Sequence, residues 1–184
     1  MKYRTICADP PWRYSQSRIT TTGKQRRAEA LAHYNTMPLE DICALPVGDL
    51  AEDDAHLYLW VTCPLLFWAK DVIEAWGFEY RTLITWEKQG TLGMGFHFRV
   101  QTEHVVFATR GSLPIAAADR RRNIFAAPKR AHSAKPDCFY DLVEQVSPGP
   151  YVELFARRAR FGWDYYGDES LGTIEMPTAN GSLR

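Results

Sequence analysis

The sequence lacks the features that mark several large protein classes. Its four cysteines stand far apart and include no C-x-x-C pair, which argues against a zinc ribbon and a disulfide framework. No stretch is apolar enough to span a bilayer, and Lys2 and Arg4 lead into a strand rather than into the apolar region of a signal peptide. These absences favour a reducing cytoplasm, with no membrane partner.

An excess of charge of either sign is also missing. The 22 basic and 22 acidic residues give a formal net charge of zero, so any binding of nucleic acid must come from local patches. The five histidines lack the spacing of metal ligands, and no G-x-G-x-x-G follows a strand. We therefore expect no metal, and these patterns alone do not reveal a cofactor.

The 184 residues, 46% of them hydrophobic, suffice for one soluble domain. We predict that it covers residues 1–170 and that the polar segment 171–184 is a flexible tail. Apolar segments with strand and helix patterns alternate along the chain, which favours an α/β sheet. The predicted strands are residues 3–8, 56–62, 80–87, 103–109, 151–156 and 163–166. The predicted helices are residues 38–45, with Thr36 as a possible N-cap; residues 64–76, which Gly77 ends; and residues 135–146.

The most informative motif is Asp9-Pro10-Pro11-Trp12, which directly follows the first predicted strand. The exocyclic amine of adenine is a poor nucleophile because its lone pair is delocalised, and acceptors must take its two hydrogens before it can be methylated. The Asp9 carboxylate and the Pro10 carbonyl are two such acceptors, and the Trp12 ring can stack on the base. The alternative interpretation is a strand-ending turn with an N-cap Asp and a buried Trp.

Basic residues are clustered in two segments of the chain. One cluster lies between Trp12 and Tyr34 and the other follows the fourth predicted strand; they comprise Lys24, Arg26 and Arg27, and Arg120, Arg121, Arg122, Lys129 and Arg130. Such runs are commonly solvated surface. If both segments flank the Asp-Pro-Pro-Trp motif, they form a basic funnel for phosphates, and Tyr34 could close over the base.

Several blocks, in order, resemble the adenine-N6 methyltransferase family that carries Asp-Pro-Pro-Trp and is named for the seventy-kilodalton subunit of the messenger-RNA methyltransferase. Each block alone is weak, but the ordered set is specific and spans roughly residues 6–169. The blocks are ADPPW at 8–12, YNTM at 34–37, LYLWVT at 57–62, AWGFEY at 75–80, ITWEK at 84–88, TEH at 102–104, SAKPD at 133–137, SPG at 147–149 and ELFAR at 153–157.

The resemblance implies a Rossmann-like methyltransferase fold in circularly permuted order, with a single mostly parallel sheet and helices on both faces. It implies S-adenosyl-L-methionine as the cofactor and N6-methyladenine as the product. The catalytic residues would be Asp9, Pro10, Pro11 and Trp12. The substrate-binding residues would be Trp12, Tyr34 and Glu103, together with the basic residues that charge clustering indicates: Arg120, Arg121, Arg122, Lys129 and Arg130. The cofactor-binding residues would be Cys7, Ala8, Asp9, Ser133, Lys135, Glu153, Leu154, Phe155, Arg157, Asp168 and Glu169.

Within this set, Lys135 would pair with the carboxylate of the cofactor. Its alternative role is that of a solvated lysine at a helix start, where the helix dipole disfavours it. The sequence departs from the family pattern at Asp168 and Glu169, where an Asn-Gln pair is common, so amide donors to the adenine of the cofactor are lost.

The expected partner is nucleic acid, DNA ahead of RNA, because the chain resembles the short versions of the family associated with bacteria and their viruses. Two alternatives stay open: methylation of RNA, and a non-catalytic nucleic-acid-binding subunit. A homodimer is also left open.

Overall fold

A strand near the start of the chain forms the middle of a sheet. The computed structural model describes residues 1–13, 36–90, 97–129, 134–167 and 172–177. Strand β1, Tyr3–Ala8, is buried at every position except Arg4. It pairs in parallel with β2, Ala51–Val61, on one side and with β6, Tyr151–Leu154, on the other. A strand buried on both faces reads as a nearly continuous apolar run, which is how β1 appears in the sequence.

The other described strands are β3, Glu79–Gln89; β4, Thr102–Arg110; β5, Ile124–Pro128; and β7, Trp163–Tyr166. The described strands form one seven-stranded sheet in the order β5-β3-β4-β2-β1-β6-β7. Only β4 among them runs antiparallel to both of its neighbours. The mostly parallel sheet and the α/β class are thereby confirmed.

Helices pack on both faces of this sheet. Alternate residues of β2 enter different clusters of buried side chains, since Leu57 belongs to one cluster and Tyr58 to the other. Ile42 of helix α1, Leu39–Cys43, lies in the same cluster as Leu57, whereas Phe139 of helix α4, Asp137–Val146, lies in the same cluster as Tyr58. The helices are α1, Leu39–Cys43; α2, Val47–Leu50; α3, Trp68–Ala75; and α4, Asp137–Val146, with 3₁₀ turns at Cys63–Leu65 and Ala117–Asp119.

The sequence located most strands but missed β5. The predicted bounds of β1 and β7 are confirmed, and β3 and β4 extend beyond theirs at both ends. Strand β2 begins five residues earlier than predicted and ends one residue sooner, and β6 ends at Leu154, two residues before the predicted end. Strand β5 has five residues, ends at Pro128 and pairs only with β3 among the described strands. A short edge strand that ends in proline carries a weak sequence signal because its outer side needs no ladder of donors.

The helix bounds differ from all three predictions: α1 is shorter at both ends than 38–45, and α4 begins at Asp137 and not at residue 135. The cap position of α1 is Pro38 and not Thr36, and no side chain there bonds the helix. The predicted helix 64–76 is divided into a 3₁₀ turn and α3. Gly77 follows α3 with a φ of 79°, a left-handed conformation that glycine adopts without steric cost, as the sequence predicted.

The described part of the predicted tail lies against the sheet. The backbone N–H of Thr173 donates to the carbonyl of Tyr165 at 2.9 Å, and Ile174 packs against the core. The domain boundary and the rest of the tail stay predictions. Within the described residues, no helix has the length and apolar character needed to cross a membrane.

His56 of β2 is buried and holds two neighbouring segments. Its Nδ1 lies 2.7 Å from the Ser147 hydroxyl, and its Nε2 lies 2.7 Å from the carbonyl of Leu113. Burial lowers the pKa of His56 below its usual 6.5, although the Leu113 carbonyl opposes the shift, and the charge of Arg4 lowers it further. The folded protein therefore keeps this ring neutral.

We expect His56 to lower the free energy of unfolding as the pH drops below 6.5, because there the unfolded chain binds a proton that folded His56 does not. Glu153, whose pKa is raised, acts in the opposite direction, so the contribution of His56 is the difference between variants. Urea unfolding at pH 7.5 and 5.5 should show a change on acidification that favours the folded state more in His56→Asn than in the unaltered protein, and an unaltered change in His97→Gln, an exposed histidine. The same change in His56→Asn as in the unaltered protein would contradict the assignment.

Candidate active site

Residues far apart in the sequence meet at one edge of the sheet. The parallel strands β1, β2, β3 and β6 all end there. Because β4 is antiparallel, it begins at the same edge, with Thr102 opposite Glu87 and His104 opposite Val61. We call this the carboxyl edge. In open α/β sheets, ligands bind outside the carboxyl ends of the strands.

The Asp-Pro-Pro-Trp segment leaves β1 in a hydrogen-bonded turn at this edge. The backbone N–H of Asp9 donates to the carbonyl of Leu154 at 3.3 Å, which fixes the segment to the end of β6. The N–H of Trp12 donates to the carbonyl of Pro10 at 2.8 Å. A carbonyl oxygen has two lone pairs, so Pro10 retains capacity for one further donor.

Trp12 lies mainly inside the protein. Its side chain is 6% exposed, and its indole N–H donates to the carbonyl of Trp60 at 3.1 Å. Its backbone pairs with Met37 in an isolated bridge. The ring is therefore fixed in position, with only a small part of its surface accessible, and its stacking on a base stays a prediction.

Lys135 lies at the centre of a network of charges. Its ammonium is 3.1 Å from Asp9 Oδ2 and 2.9 Å from Glu103 Oε1, and it lies 4.3 Å from the centre of the Trp60 ring. The lysine side chain is 6% exposed and that of Asp9 is 21% exposed, so the carboxylate is the group that solvent reaches. The alternative of a solvated lysine at a helix start does not describe this residue.

The protonation states in this network follow from the pairing. Burial by itself would lower the pKa of Lys135, but Asp9 and Glu103 outweigh it and raise that pKa. Burial by itself would raise the pKa of Glu103, since it disfavours the charged carboxylate, but Lys135 and Lys88 bring that pKa below its usual value. Lys135 is therefore charged and Glu103 ionised at neutral pH.

Sequence reasoning did not single out Lys88, although it lies in the ITWEK block. Its ammonium is 2.8 Å from Glu103 Oε2 and 5.0 Å from the centre of the Trp86 ring. Glu103 is thus held by lysines at both of its oxygens. No local pattern signals this pair, because Lys88 and Glu103 meet only when β3 and β4 pair.

Glu153 is a predicted cofactor ligand with an unusual environment. It lies on β6 opposite Cys7 of β1, is 8% exposed, and accepts a hydrogen bond from the Tyr140 hydroxyl at 2.7 Å. Burial, together with the nearby charge of Asp9, raises its pKa to about 7 in spite of the hydrogen bond from Tyr140, which lowers it. Burial likewise raises the pKa of the Cys7 thiol. Glu153 therefore exchanges a proton near neutral pH.

The other predicted cofactor residues on these strands differ in their surroundings. Ala8 and Leu154 are buried in the core, so only their backbones can face a ligand. Phe155 has a φ of 63°, a left-handed conformation that non-glycine residues seldom adopt and that is often found at functional sites. Arg157 is half-buried just beyond this turn.

Arg158, which the sequence did not indicate, anchors the segment that carries Lys135. Its guanidinium pairs with Asp137 and donates to the carbonyl of Lys135 at 3.4 Å. It also lies 5.4 Å from the centre of the Tyr140 ring. The end of β6 and the start of α4 are thereby held together next to Asp9.

Among the described residues of the two basic clusters, Arg121 does not lie near Asp9. Arg121 Nε donates to Gln145, near the end of α4, whereas Lys135 precedes that helix, whose ten residues span about 15 Å. Lys129 follows β5 at the carboxyl edge and is exposed. The predicted residues outside the described part of the chain are Lys24, Arg26, Arg27, Tyr34, Arg130, Ser133, Asp168 and Glu169.

Comparison with known proteins shows one family. The MT-A70 family model matches residues 3–169. The chain is 32% identical to the Type II methyltransferase M.MunI of Mycoplasma sp over 192 aligned positions, which cover 96% of this chain and 82% of the relative.

More distant similarity extends to animal proteins. The chain is 28% identical to the N(6)-adenosine-methyltransferase MT-A70-like protein of Drosophila melanogaster, over 85% of this chain and 24% of the relative. It is 26% identical to the human N(6)-adenosine-methyltransferase catalytic subunit METTL3, over 85% of this chain and 26% of the relative. The chain thus spans about a quarter of these animal proteins.

Replacing Lys135 with methionine should destabilise the protein by about 3 kcal/mol, because Asp9 and Glu103 would lose the buried cation between them. The loss should shrink only below pH 4.5, because the pKa of folded Glu103 lies below its usual value and the carboxylate takes up a proton only there. Chemical unfolding at pH 7.5 and 3.5 measures both effects. Lys70→Met, which removes an exposed pair with Glu74, serves as the control and should cost less than about 1 kcal/mol. Equal losses in the two variants would contradict the role of Lys135.

Proposed function

The chain belongs to the MT-A70 family, and from that membership we propose that it is an S-adenosyl-L-methionine-dependent enzyme that methylates the N6 amine of adenine in nucleic acid. The bacterial type II methyltransferase and the adenosine methyltransferases among its relatives support this activity. We place DNA before RNA because similarity covers most of the bacterial relative and only a quarter of the animal adenosine methyltransferases.

The observation that carries this proposal is that a carboxylate and a proline carbonyl lie side by side at the carboxyl edge. Asp9 uses Oδ2 for Lys135, and a carboxylate has about four acceptor positions, so it can still accept a hydrogen from an amine. The Pro10 carbonyl retains one lone pair beyond its bond to the backbone N–H of Trp12. The proposal places the two hydrogens of an adenine amine on these acceptors, and because Pro10 is buried it requires the amine to reach that carbonyl from the side of Asp9.

Accepting both hydrogens changes the reactivity of the amine. The nitrogen lone pair is drawn out of the plane of the ring and becomes available to an electrophile. Positioning then supplies much of the rate enhancement, and Asp9 need not act as a strong base, since the methylated amine gives up its proton readily. The buried Trp12 and the bond from its N–H to Pro10 keep the acceptors in place.

The residues of the carboxyl edge suit the proposed methyl donor. S-adenosyl-L-methionine supplies an electrophilic methyl carbon on a sulfonium centre. An ammonium has three N–H donors and Lys135 uses two of them on Asp9 and Glu103, so one is left for the methionine carboxylate. Asp9 can accept a hydrogen bond from the amino group of S-adenosyl-L-methionine. Glu153, on the strand next to β1, is a buried carboxyl that ionises near neutral pH.

The remaining predicted roles are part of the same proposal. Phe155, Arg157, Asp168 and Glu169 would contact the ribose and adenine of the donor, with the backbones of Cys7, Ala8 and Leu154 behind them. Trp12, Tyr34 and Glu103 would contact the target adenine, and Lys129 and Arg130 a phosphate. The homodimer, the absence of a metal and the cytoplasmic location stay predictions.

The decisive experiment incubates the protein with labelled S-adenosyl-L-methionine and matched single- and double-stranded DNA and RNA oligonucleotides, followed by mass spectrometry of the nucleosides. N6-methyladenine in the DNA is the expected product. Product in RNA alone would show that the substrate is RNA and not DNA. Absence of both product and cofactor binding would support the non-catalytic nucleic-acid-binding subunit.

Asp9→Ala should abolish methylation, because it removes one of the two acceptors for the amine, while the circular dichroism spectrum stays that of the folded protein. Asp71→Ala, which alters an exposed carboxylate on α3, is the matched control and should leave turnover unchanged. Near-normal turnover by Asp9→Ala would refute the assignment of the amine site.

Replacing Arg120, Arg121 and Arg122 with alanine tests the sequence-based assignment of these residues to phosphate contact. For a single strand, each lost contact should reduce the slope of log K against log salt by about 0.7. Binding titrations between low and moderate salt measure the slope, with Arg81→Ala as the control. An unchanged slope would place these arginines off the path of the nucleic acid.

A further inference from the structure

A cavity of about 230 Å³ lies between the sheet and the C-terminal half of α4. The sheet contributes Tyr58, Ile84 and Phe107, and the helix contributes Leu142 and Val146. It lies well away from Asp9, since Lys135 precedes α4 and Val146 ends it, about 15 Å further along. It is therefore separate from the candidate active site.

The size and lining of the cavity suit an apolar body. An enclosed apolar cavity of about 150 Å³ is enough to bind benzene. The cavity here is larger and, where the exposed arginines line it, open to solvent, so a fused two-ring system can enter and fit its volume. The hydroxyl of Tyr58 bonds the Ser147 hydroxyl at 2.7 Å, so this polar group in the wall already has its partner.

Three consecutive arginines line the same cavity. Arg120, Arg121 and Arg122 are exposed, and no carboxylate among the described residues forms an ion pair with them. In contrast, Arg81 and Arg160 each pair with acidic side chains.

The arginine segment is fixed in place by its own bonds. Arg121 donates from Nε to Gln145 at 3.3 Å and from Nη1 to the carbonyl of Ala118 at 2.9 Å. Asn123, at the end of the segment, donates to the carbonyl of Leu83 at 3.1 Å. A planar guanidinium held in this way can present its remaining N–H groups to an anion in fixed geometry.

We propose that this cavity is a binding site for a small organic anion, with an apolar body of one or two rings in the cavity and a single carboxylate at the arginines. Burial of the rings supplies non-directional affinity, and charge-assisted bonds from guanidinium to carboxylate orient the ligand. The site does not depend on the proposed methyltransferase activity, because none of its lining residues belongs to the carboxyl edge.

The test uses three probes: 2-naphthoate, which has both the rings and the carboxylate; 2-naphthol, which has the rings without the charge; and acetate, which has the carboxylate without the rings. Titration calorimetry should show saturable binding of one 2-naphthoate, weaker binding of 2-naphthol and none of acetate. Methyl NMR should place the shifts at Ile84, Ile115, Leu142 and Val146. Shifts confined to methyl groups near the carboxyl edge would overturn the assignment.

Variants then test each half of the site. Changing Arg120, Arg121 and Arg122 together to glutamine should weaken 2-naphthoate binding about tenfold or more and leave 2-naphthol unchanged, because bonds to a charged group are lost. Val146→Phe, which fills the cavity, should weaken both probes. Arg81→Gln, an exposed arginine outside the cavity, is the control and should change neither.

Two further outcomes would overturn the proposal. The first is an affinity for 2-naphthoate that neither the arginine variant nor Val146→Phe alters. The second is displacement of 2-naphthoate by an oligonucleotide, together with no effect of Val146→Phe, which would assign the arginines to the nucleic-acid backbone. If Val146→Phe does not fold, the arginine variant still decides, because it alters only exposed side chains.

Discussion

The ammonium of Lys135 holds two carboxylates from different strands at one edge of the sheet. Asp9 follows β1 and Glu103 lies at the start of β4, and each is within about 3 Å of that ammonium. Without the cation, two negative charges would face each other in a partly buried site, at a cost that burial makes large. The orientation of Asp9 toward solvent, and with it the proposed grip on an adenine amine, depends on this contact.

The reversed direction of β4 makes the contact geometrically available. A strand parallel to its neighbours would deliver its last residues to the carboxyl edge, whereas antiparallel β4 delivers its first, including Glu103. Lys88 then reaches Glu103 from the end of β3. Arg158, beyond β6, donates to the backbone carbonyl of Lys135. Three separate stretches of chain, which carry Asp9, Glu103 and Arg158, therefore hold Lys135 in place.

Individual elements show how far sequence patterns extend. Strand β1 was predictable because it is buried on both faces and therefore appears as an apolar run, and α3 was predictable at its end because Gly77 adopts a left-handed conformation. Strand β5 was not, since a short edge strand that ends in proline has little pattern. Thr36 failed as a cap because α1 begins later, at Leu39.

The sequence by itself determined which functional groups the site can use: a carboxylate, two prolines and an indole after a buried strand, and a lysine near the start of a helix. Local order is enough for such motifs, because neighbouring residues share one stretch of backbone. Only the tertiary structure decided that Lys88 joins the site, that Trp12 is largely buried and that Arg121 lies at the far end of α4. Those facts depend on strand pairing and helix direction, which bring together residues that no local pattern connects.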